Sequence, residues 1–195
     1  TREALLTDEN KYGNHIIDQY FGFNASRGRT LEGNGLFVLD NPFSDQPVAR
    51  DLLNKALSDR GGFLAPAVSF DGQEILFCYT DGERPNRVWT EKSCFHIYRV
   101  KADGSGLTQL TQGPVNDLFP CWLPSGRIML TSERRGGFGR CHPVPKPSFT
   151  LFSMLADGSD MTQLSPHETN EWMPSVDHAG MVIYTRWDYV DRGAL

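Results

Sequence analysis

No apolar run in this chain of 195 residues approaches the length of a membrane span. Cysteine is sparse, and Cys78, Cys94, Cys121 and Cys141 form neither a C-x-x-C pair nor a C-x-x-C-H haem-attachment motif. Positive charge is short too: 19 Lys and Arg stand against 24 Asp and Glu, a formal net charge of −5. No nucleic acid is expected as a partner, because phosphate binding draws on net positive potential. Catalytic wording is equally thin, with no G-x-S-x-G elbow and no H-E-x-x-H helix. His167-Glu168 opens like a zinc-protease motif, but Glu171 stands where the second His belongs. Arg135-Gly-Gly-Phe-Gly lacks the Lys-Ser/Thr with which a phosphate loop reaches phosphate and metal. No catalytic constellation is present, and no cofactor is predicted.

What the chain has is a repeat. Pro66, Pro120 and Pro174 are 54 residues apart, and so are Gly72, Gly126 and Gly180. A second half-unit keeps step: Asp103, Gly104, Thr108, Gln109 and Leu110 return as Asp157, Gly158, Thr162, Gln163 and Leu164. In each unit an apolar stretch breaks at a tight-turn dipeptide and resumes at period two, as in Ile75, Phe77 and Tyr79 after Asp71-Gly72, which reads as two short strands. Gly supplies the positive φ that such turns need. A strand such as Phe95-His-Ile-Tyr-Arg-Val reaches Asp103-Gly104 and turns back through Leu107 to Leu110, so a unit holds about four strands. β-Branched and aromatic residues, with Gly and Pro at fixed offsets, exclude a helical repeat. The expected fold is all-β: four-stranded antiparallel β-propeller blades of about 54 residues, in a partial propeller.

The wording Pro66-Ala-Val-Ser-Phe-Asp-Gly-Gln-Glu-Ile-Leu-Phe and Ala102-Asp-Gly-Ser-Gly-Leu-Thr-Gln-Leu-Thr resembles the repeat of TolB-like propellers, the WD40-like or PD40 group. The match covers roughly residues 62 to 190. Asn116-Asp-Leu-Phe-Pro-Cys-Trp, Arg134-Arg-Gly-Gly-Phe-Gly-Arg-Cys-His142 and His167-Glu-Thr-Asn-Glu-Trp172 are similar to large bacterial proteins related to the hydrazine synthase alpha subunit. The first resemblance implies a binding module in a periplasmic or extracytoplasmic setting. The second implies haem and zinc, although the haem-attachment motif is missing.

Residues 1–61 do not repeat. They read as an arm with one strand at Leu36-Phe-Val-Leu39, another over 12–24, and a short helix over 44–57, where Val48, Leu52, Ala56, Leu53 and Leu57 follow a capping Ser44 and an early Pro47. Residues 62–195 read as two and a half blades. Thr1-Arg-Glu opens without Met or a targeting signal, and Leu195 follows the first half of a third unit, so a fragment of a larger propeller is expected.

Two groups of residues are candidate sites. The insertion Arg134 to Pro147 carries Arg134, Arg135 and Arg140 for an anion, with glycines that admit a ligand to the backbone; an ordered surface loop with paired arginines is the alternative. Asn116-Asp117 and Asn170-Glu171 occupy matching places between blades and form either a ring of carboxylates at a channel mouth or caps on turn backbone. Trp122 and Trp172 are expected to pack between blades, and Cys78 and Cys121 to be buried, with a Cys78–Cys94 disulfide left open. If a metal binds, zinc at Cys141 with His142 and His15 is the candidate, His167 and Glu168 being further metal-capable side chains.

Two functions remain: a non-catalytic propeller module that binds a protein partner, a ligand or the remaining blades of the same larger protein, and a metal- or haem-associated redox subunit. Elemental analysis of the purified protein separates them: the binding module carries no stoichiometric zinc, copper or iron, and the redox subunit carries one.

Overall fold

The computed structural model describes residues 33–81, 94–137 and 147–187. Twelve strands are present among them and no helix: β1 (Phe37–Asp40), β2 (Val48–Asp51), β3 (Gly62–Val68), β4 (Glu74–Thr80), β5 (His96–Lys101), β6 (Thr108–Gln109), β7 (Asp117–Trp122), β8 (Ile128–Ser132), β9 (Thr150–Met154), β10 (Thr162–Gln163), β11 (Asn170–Val176) and β12 (Val182–Trp187). They form a two-stranded sheet β1-β2, two four-stranded antiparallel sheets β3-β4-β5-β6 and β7-β8-β9-β10, and a two-stranded sheet β11-β12.

The repeat is visible in the backbone. Each inner strand is broken by a bulge, between Leu64 and Ala67, Leu118 and Cys121, and Trp172 and Ser175. At each bulge the residue before the repeated proline has a left-handed backbone: φ is 49° at Ala65, 53° at Phe119 and 52° at Met173. Proline donates no ladder hydrogen bond, so a bulge is where an inner strand can hold one. The three prolines therefore share one backbone setting, repeated along the chain, although Pro66 is exposed where Pro120 and Pro174 are buried.

The second strands are offset by 53 rather than 54 residues between the first two units, since Val68 pairs with Ile75 but Trp122 with Ile128. The extra residue lies in the first turn, where Asp71 Oδ1 accepts from Gln73 N at 3.0 Å and from Ser69 Oγ at 2.6 Å. The turns of the other half-unit match closely: Asp103 Oδ1 accepts from Ser105 N at 2.8 Å and Asp157 Oδ1 from Ser159 N at 2.9 Å.

Alternation along β4 divides the core in two. Phe77 and Tyr79, with Ile75 beside them, pack with Phe63 and Val100 against Leu36, Leu52 and Leu53 of the first hairpin. Leu76 and Cys78 point the other way, into a larger cluster with Phe95, Ile97, Leu118, Phe119, Trp122, Ile128, Leu130, Phe149, Phe152, Met154 and Trp172. The sheets thus stack face to face as consecutive blades, each large buried side chain contributing about 1.5–3 kcal/mol. Trp122 and Trp172 are blade-packing residues, as their sequence positions suggest.

The helix expected over 44–57 does not form. Val48–Asp51 pair with Phe37–Asp40 instead, and the Asp51 carboxylate accepts from Leu53 N and Lys55 N, each at 3.0 Å. Asn54 and Lys55 are left-handed, at φ 46° and 60°, which ends any helical path. Sheet pairing and burial of Leu52 and Leu53 outweigh a weak local helical preference. The strand expected over 12–24 lies outside the described residues.

Close packing between blades makes one glycine position exacting. A Cβ on Gly158 would fall well inside van der Waals contact with the Leu110 carbonyl oxygen, and one on Gly104 would meet the Leu52 carbonyl in the same way, whereas Gly126 has open space. All three have positive φ, so Gly126→Ala isolates the backbone strain, about 1 kcal/mol, while Gly158→Ala adds a clash and costs about 3 kcal/mol in urea denaturation. Equal losses for the two variants would contradict the stacked arrangement.

Candidate functional site

The two ends of the sheets differ. Gly62 pairs with Thr80 and Asp117 with Ser132, so the start of each inner strand and the end of each second strand lie together. At that end emerge the long connections 81–95 and 133–149 and the links 52–61, 110–116 and 164–169. Among the described residues the other end carries only short connections, at 41–47, 69–73, 102–107, 123–127, 155–161 and 177–181. Long connections on a rigid scaffold are where binding residues collect.

Asn116 and Asn170 open this end and make the same contact one repeat apart. Asn116 Oδ1 accepts from Phe95 N at 2.9 Å, and Asn170 Oδ1 accepts from Phe149 N at 2.9 Å. The next residue completes a two-bond clasp, Asp117 N donating to Phe95 O and Glu171 N to Phe149 O, both at 2.8 Å. Each inner strand is thereby fastened to the third strand of the preceding blade. Gly62 stands at this place in the first unit, and there the Asn34 side chain donates to Gly61 O at 3.2 Å.

The acids diverge because their lengths differ. Glu171 reaches back to accept from Leu151 N at 3.1 Å through Oε2 and from Ser165 Oγ at 2.8 Å through Oε1. One repeat earlier Ile97 N donates to Thr111 Oγ1 at 3.0 Å, since Asp117 is a methylene shorter. Asp117 turns instead to Ser132 Oγ at 2.6 Å and to Arg134, with Nε 3.1 Å from Oδ1 and Nη2 2.7 Å from Oδ2. His96 Nδ1 is 3.9 Å from Asp117 Oδ2, inside ion-pair range but beyond hydrogen bonding. Arg134 also donates to Gln112 O at 2.7 Å, tying the inter-blade link to the acid.

Burial opposes ionisation of Asp117 most strongly, yet His96, the bonds and charge of Arg134 and the Ser132 bond together hold its carboxyl below the ordinary value. Glu133 is pushed up by burial, against bonds from Asn116 N and Nδ2, each at 3.0 Å.

Asn116, Asp117, Asn170 and Glu171 are all buried. They do not form an open carboxylate ring; they hold backbone amides and neighbouring side chains, because an inner-strand start has orphan polar groups that must be satisfied inside the protein. Arg134 is anchored rather than open, and among the described residues the Arg135 side chain donates to Gly136 O, at 3.4 Å. Arg140, Cys141, His142 and His15 lie outside the described residues. Among the described residues no group of three or more His, Cys, Asp or Glu is placed to hold a metal ion.

Cys78 and Cys94 are buried, Cys121 is half-buried, and Cys78 is a free thiol, so no Cys78–Cys94 disulfide is made. Burial pushes both Cys78 and Cys121 up, Cys121 to about 11, which keeps them protonated and poorly nucleophilic at neutral pH. The clasp was within reach of the sequence, since Asn116 and Asn170 share a repeat position. The partnership of Asp117 with Arg134 was not, because the repeat supplies no equivalent pair.

Successive sheets stacked face to face, joined by inner-strand clasps, define a partial β-propeller. A protein assigned as TolB from Agrobacterium tumefaciens has a similar fold: TM-score 0.50 at 21% identity, covering 75% of this chain and 44% of that one. TolB from Acinetobacter baumannii matches at TM-score 0.40 and 14% identity, covering 74% of this chain and 41% of that chain. A puromycin hydrolase matches at TM-score 0.44 and 21% identity, covering 63% and 16%. At such identities the likeness concerns the fold alone, and this chain spans less than half of each of these proteins. No protein-family profile and no curated protein matches the chain. No helix among the described residues is long and apolar enough to cross a membrane.

Removing the Asn170 side chain takes away the acceptor that its Oδ1 offers the buried Phe149 N–H. Asn170→Ala is expected to lower stability by about 2 kcal/mol by urea denaturation; a loss within error of zero would remove the clasp from the framework. Because the folded value of Asp117 is depressed, its charge contributes stability that is present above the ordinary carboxylate range and lost as pH falls through its folded value. The stability difference between wild type and Asp117→Asn is therefore expected to shrink from pH 7 towards pH 3, and a difference independent of pH contradicts the Arg134 partnership.

Proposed function

We propose that this chain is a non-catalytic propeller module that recognises a protein or ligand partner through the end of its sheets bearing the long connections. The asymmetry between the two ends supports this reading: short connections at one, and the connections 81–95 and 133–149 at the other. Recognition at that end rests on the arginines following β8. Arg134 is committed to Asp117 and stiffens the base of the connection, whereas Arg135, which among the described residues makes one weak bond, to its neighbour, retains donors for a carboxylate or phosphate on the partner. Arg140 belongs to the same basic segment. The buried Asn and acid side chains serve this surface indirectly, by fixing the spacing of the inner-strand starts.

The high thiol values of Cys78 and Cys121 favour a binding role over thiol chemistry at those residues. The TolB-like repeat wording supports an extracytoplasmic setting, with a protein of the cell envelope as the partner.

The test is capture from cell-envelope extract on the immobilised protein, followed by titration with the captured component. The double variant Arg135→Glu/Arg140→Glu is expected to weaken binding by about tenfold or more. Arg50→Glu, on β2, is expected to leave it unchanged. Nothing specific captured by the wild type, or equal binding by the double variant, overturns the reading.

A further inference from the structure

Each sheet meets the next at a junction built from equivalent residues. His96, Thr111 and Asp117 stand at the junction of β3-β4-β5-β6 with β7-β8-β9-β10, and Thr150, Ser165 and Glu171, each 54 residues on, at the junction with β11-β12. Gly35, Leu53 and Phe63 hold these places between the first hairpin and β3-β4-β5-β6. The backbone fixes the equivalence: Leu52 N donates to Leu36 O at 2.8 Å, as Leu110 N does to Ile97 O at 2.8 Å and Leu164 N to Leu151 O at 2.9 Å.

At each junction one amide near the start of the earlier sheet's strand needs an acceptor from outside the ladder. Ile97 N finds Thr111 Oγ1 at 3.0 Å, and Leu151 N finds Glu171 Oε2 at 3.1 Å. The equivalent donor at the first junction is Leu36 N, and neither Leu53 nor Phe63 has an oxygen to offer it. The Asp51 carboxylate is occupied by Leu53 N and Lys55 N. No hydrogen bond reaches Leu36 N among the described residues, although Leu36 is 3% exposed. A buried backbone N–H without a partner is rare in a native protein and marks a place where a water or a ligand completes the structure.

An open cleft of about 200 Å³ lies at this junction, bordered by Gly35, Leu53, Leu57 and Phe63 with Lys55 and Asp59 at its rim. Gly35 contributes no side chain where His96 and Thr150 do. Asp51 and Asp59 outnumber Lys55 around the cleft, which disfavours an anion. A hydroxyl both accepts and donates, so it suits a lining of mixed sign. We propose that this cleft binds a neutral sugar through two adjacent hydroxyls. One accepts from Leu36 N, in the role that Thr111 Oγ1 has at the next junction, and donates to the Asp59 carboxylate. The other accepts from the Lys55 ammonium, and ring C–H groups rest against the apolar floor. The closed part of the cleft admits a group of about the size of one water, so the sugar enters by an edge and its ring stays outside. This site is carried by the link 52–61, whereas the partner recognition proposed above rests on the arginines after β8, so the two readings stand or fall separately.

Amide NMR titration of the intact chain with glucose, galactose, mannose and N-acetylglucosamine, one at a time, tests the proposal. At least one is expected to move the Gly35 and Leu36 resonances saturably, with millimolar affinity. Ethanol, which has a single hydroxyl, and acetate are expected to move neither. Leu53→Thr supplies an internal hydroxyl as Thr111 does, and Asp59→Ala removes an exposed carboxylate. Each is expected to keep the β-sheet circular dichroism and to weaken sugar binding about tenfold or more, while Arg135→Glu leaves it unchanged. No saturable shift with any of the sugars, as when a water alone serves Leu36 N, equal shifts with ethanol or acetate, or sugar binding indifferent to both Leu53→Thr and Asp59→Ala would each overturn it.

Discussion

Burial of both faces of the central sheets is the constraint on which the rest of this structure depends. β4 sends Phe77 and Tyr79 into one core and Leu76 and Cys78 into another, so the sheet is stable only with a neighbour on each side. A single such blade would expose both apolar faces to water, at a cost comparable to the whole stability of a small domain. The repeat is the consequence: each unit covers its predecessor and needs a successor. The exposed Leu39 and Ile183 mark the two places where that requirement is unmet among the described residues.

Stacking sheets face to face creates a polar problem at the strand ends, where the chain crosses from one blade to the next and backbone groups lose their ladder partners. The Asn clasp solves it twice in the same way, and the acid that follows solves the remainder in two ways. Glu171 is long enough to take the Leu151 amide itself, while Asp117 leaves the equivalent amide to Thr111 and is neutralised by Arg134. A buried carboxylate without such partners would be protonated or would destabilise the fold. The charge at the inner-strand starts, on Asp117 and Glu171, is therefore internal. What is left for recognition is carried on the connections rather than on the strands.

Much of this could be read from residue order. Gly and Asp at fixed offsets named the turns, period-two alternation named the faces of β4, and the repeated proline fixed the register of the inner strands. The helix anticipated over 44–57 failed because its residues are few and its apolar positions fit a strand end almost as well. Pairing with β1, which lies outside the local window, decided between them. Asn116 and Asp117 were legible as special through their repeat positions, but whether they faced solvent or the interior depended on how closely the next blade approached.

The sequence by itself determined the unit: four strands, the tight turns and the alternation that buries both faces, because these follow from backbone sterics and hydrophobic period within a few dozen residues. Only the tertiary structure decided which polar groups remain available. The clasp and the pairing of Asp117 with Arg134 arise where segments apart in the chain meet, and a burial cost is set by that meeting rather than by any residue's own preference.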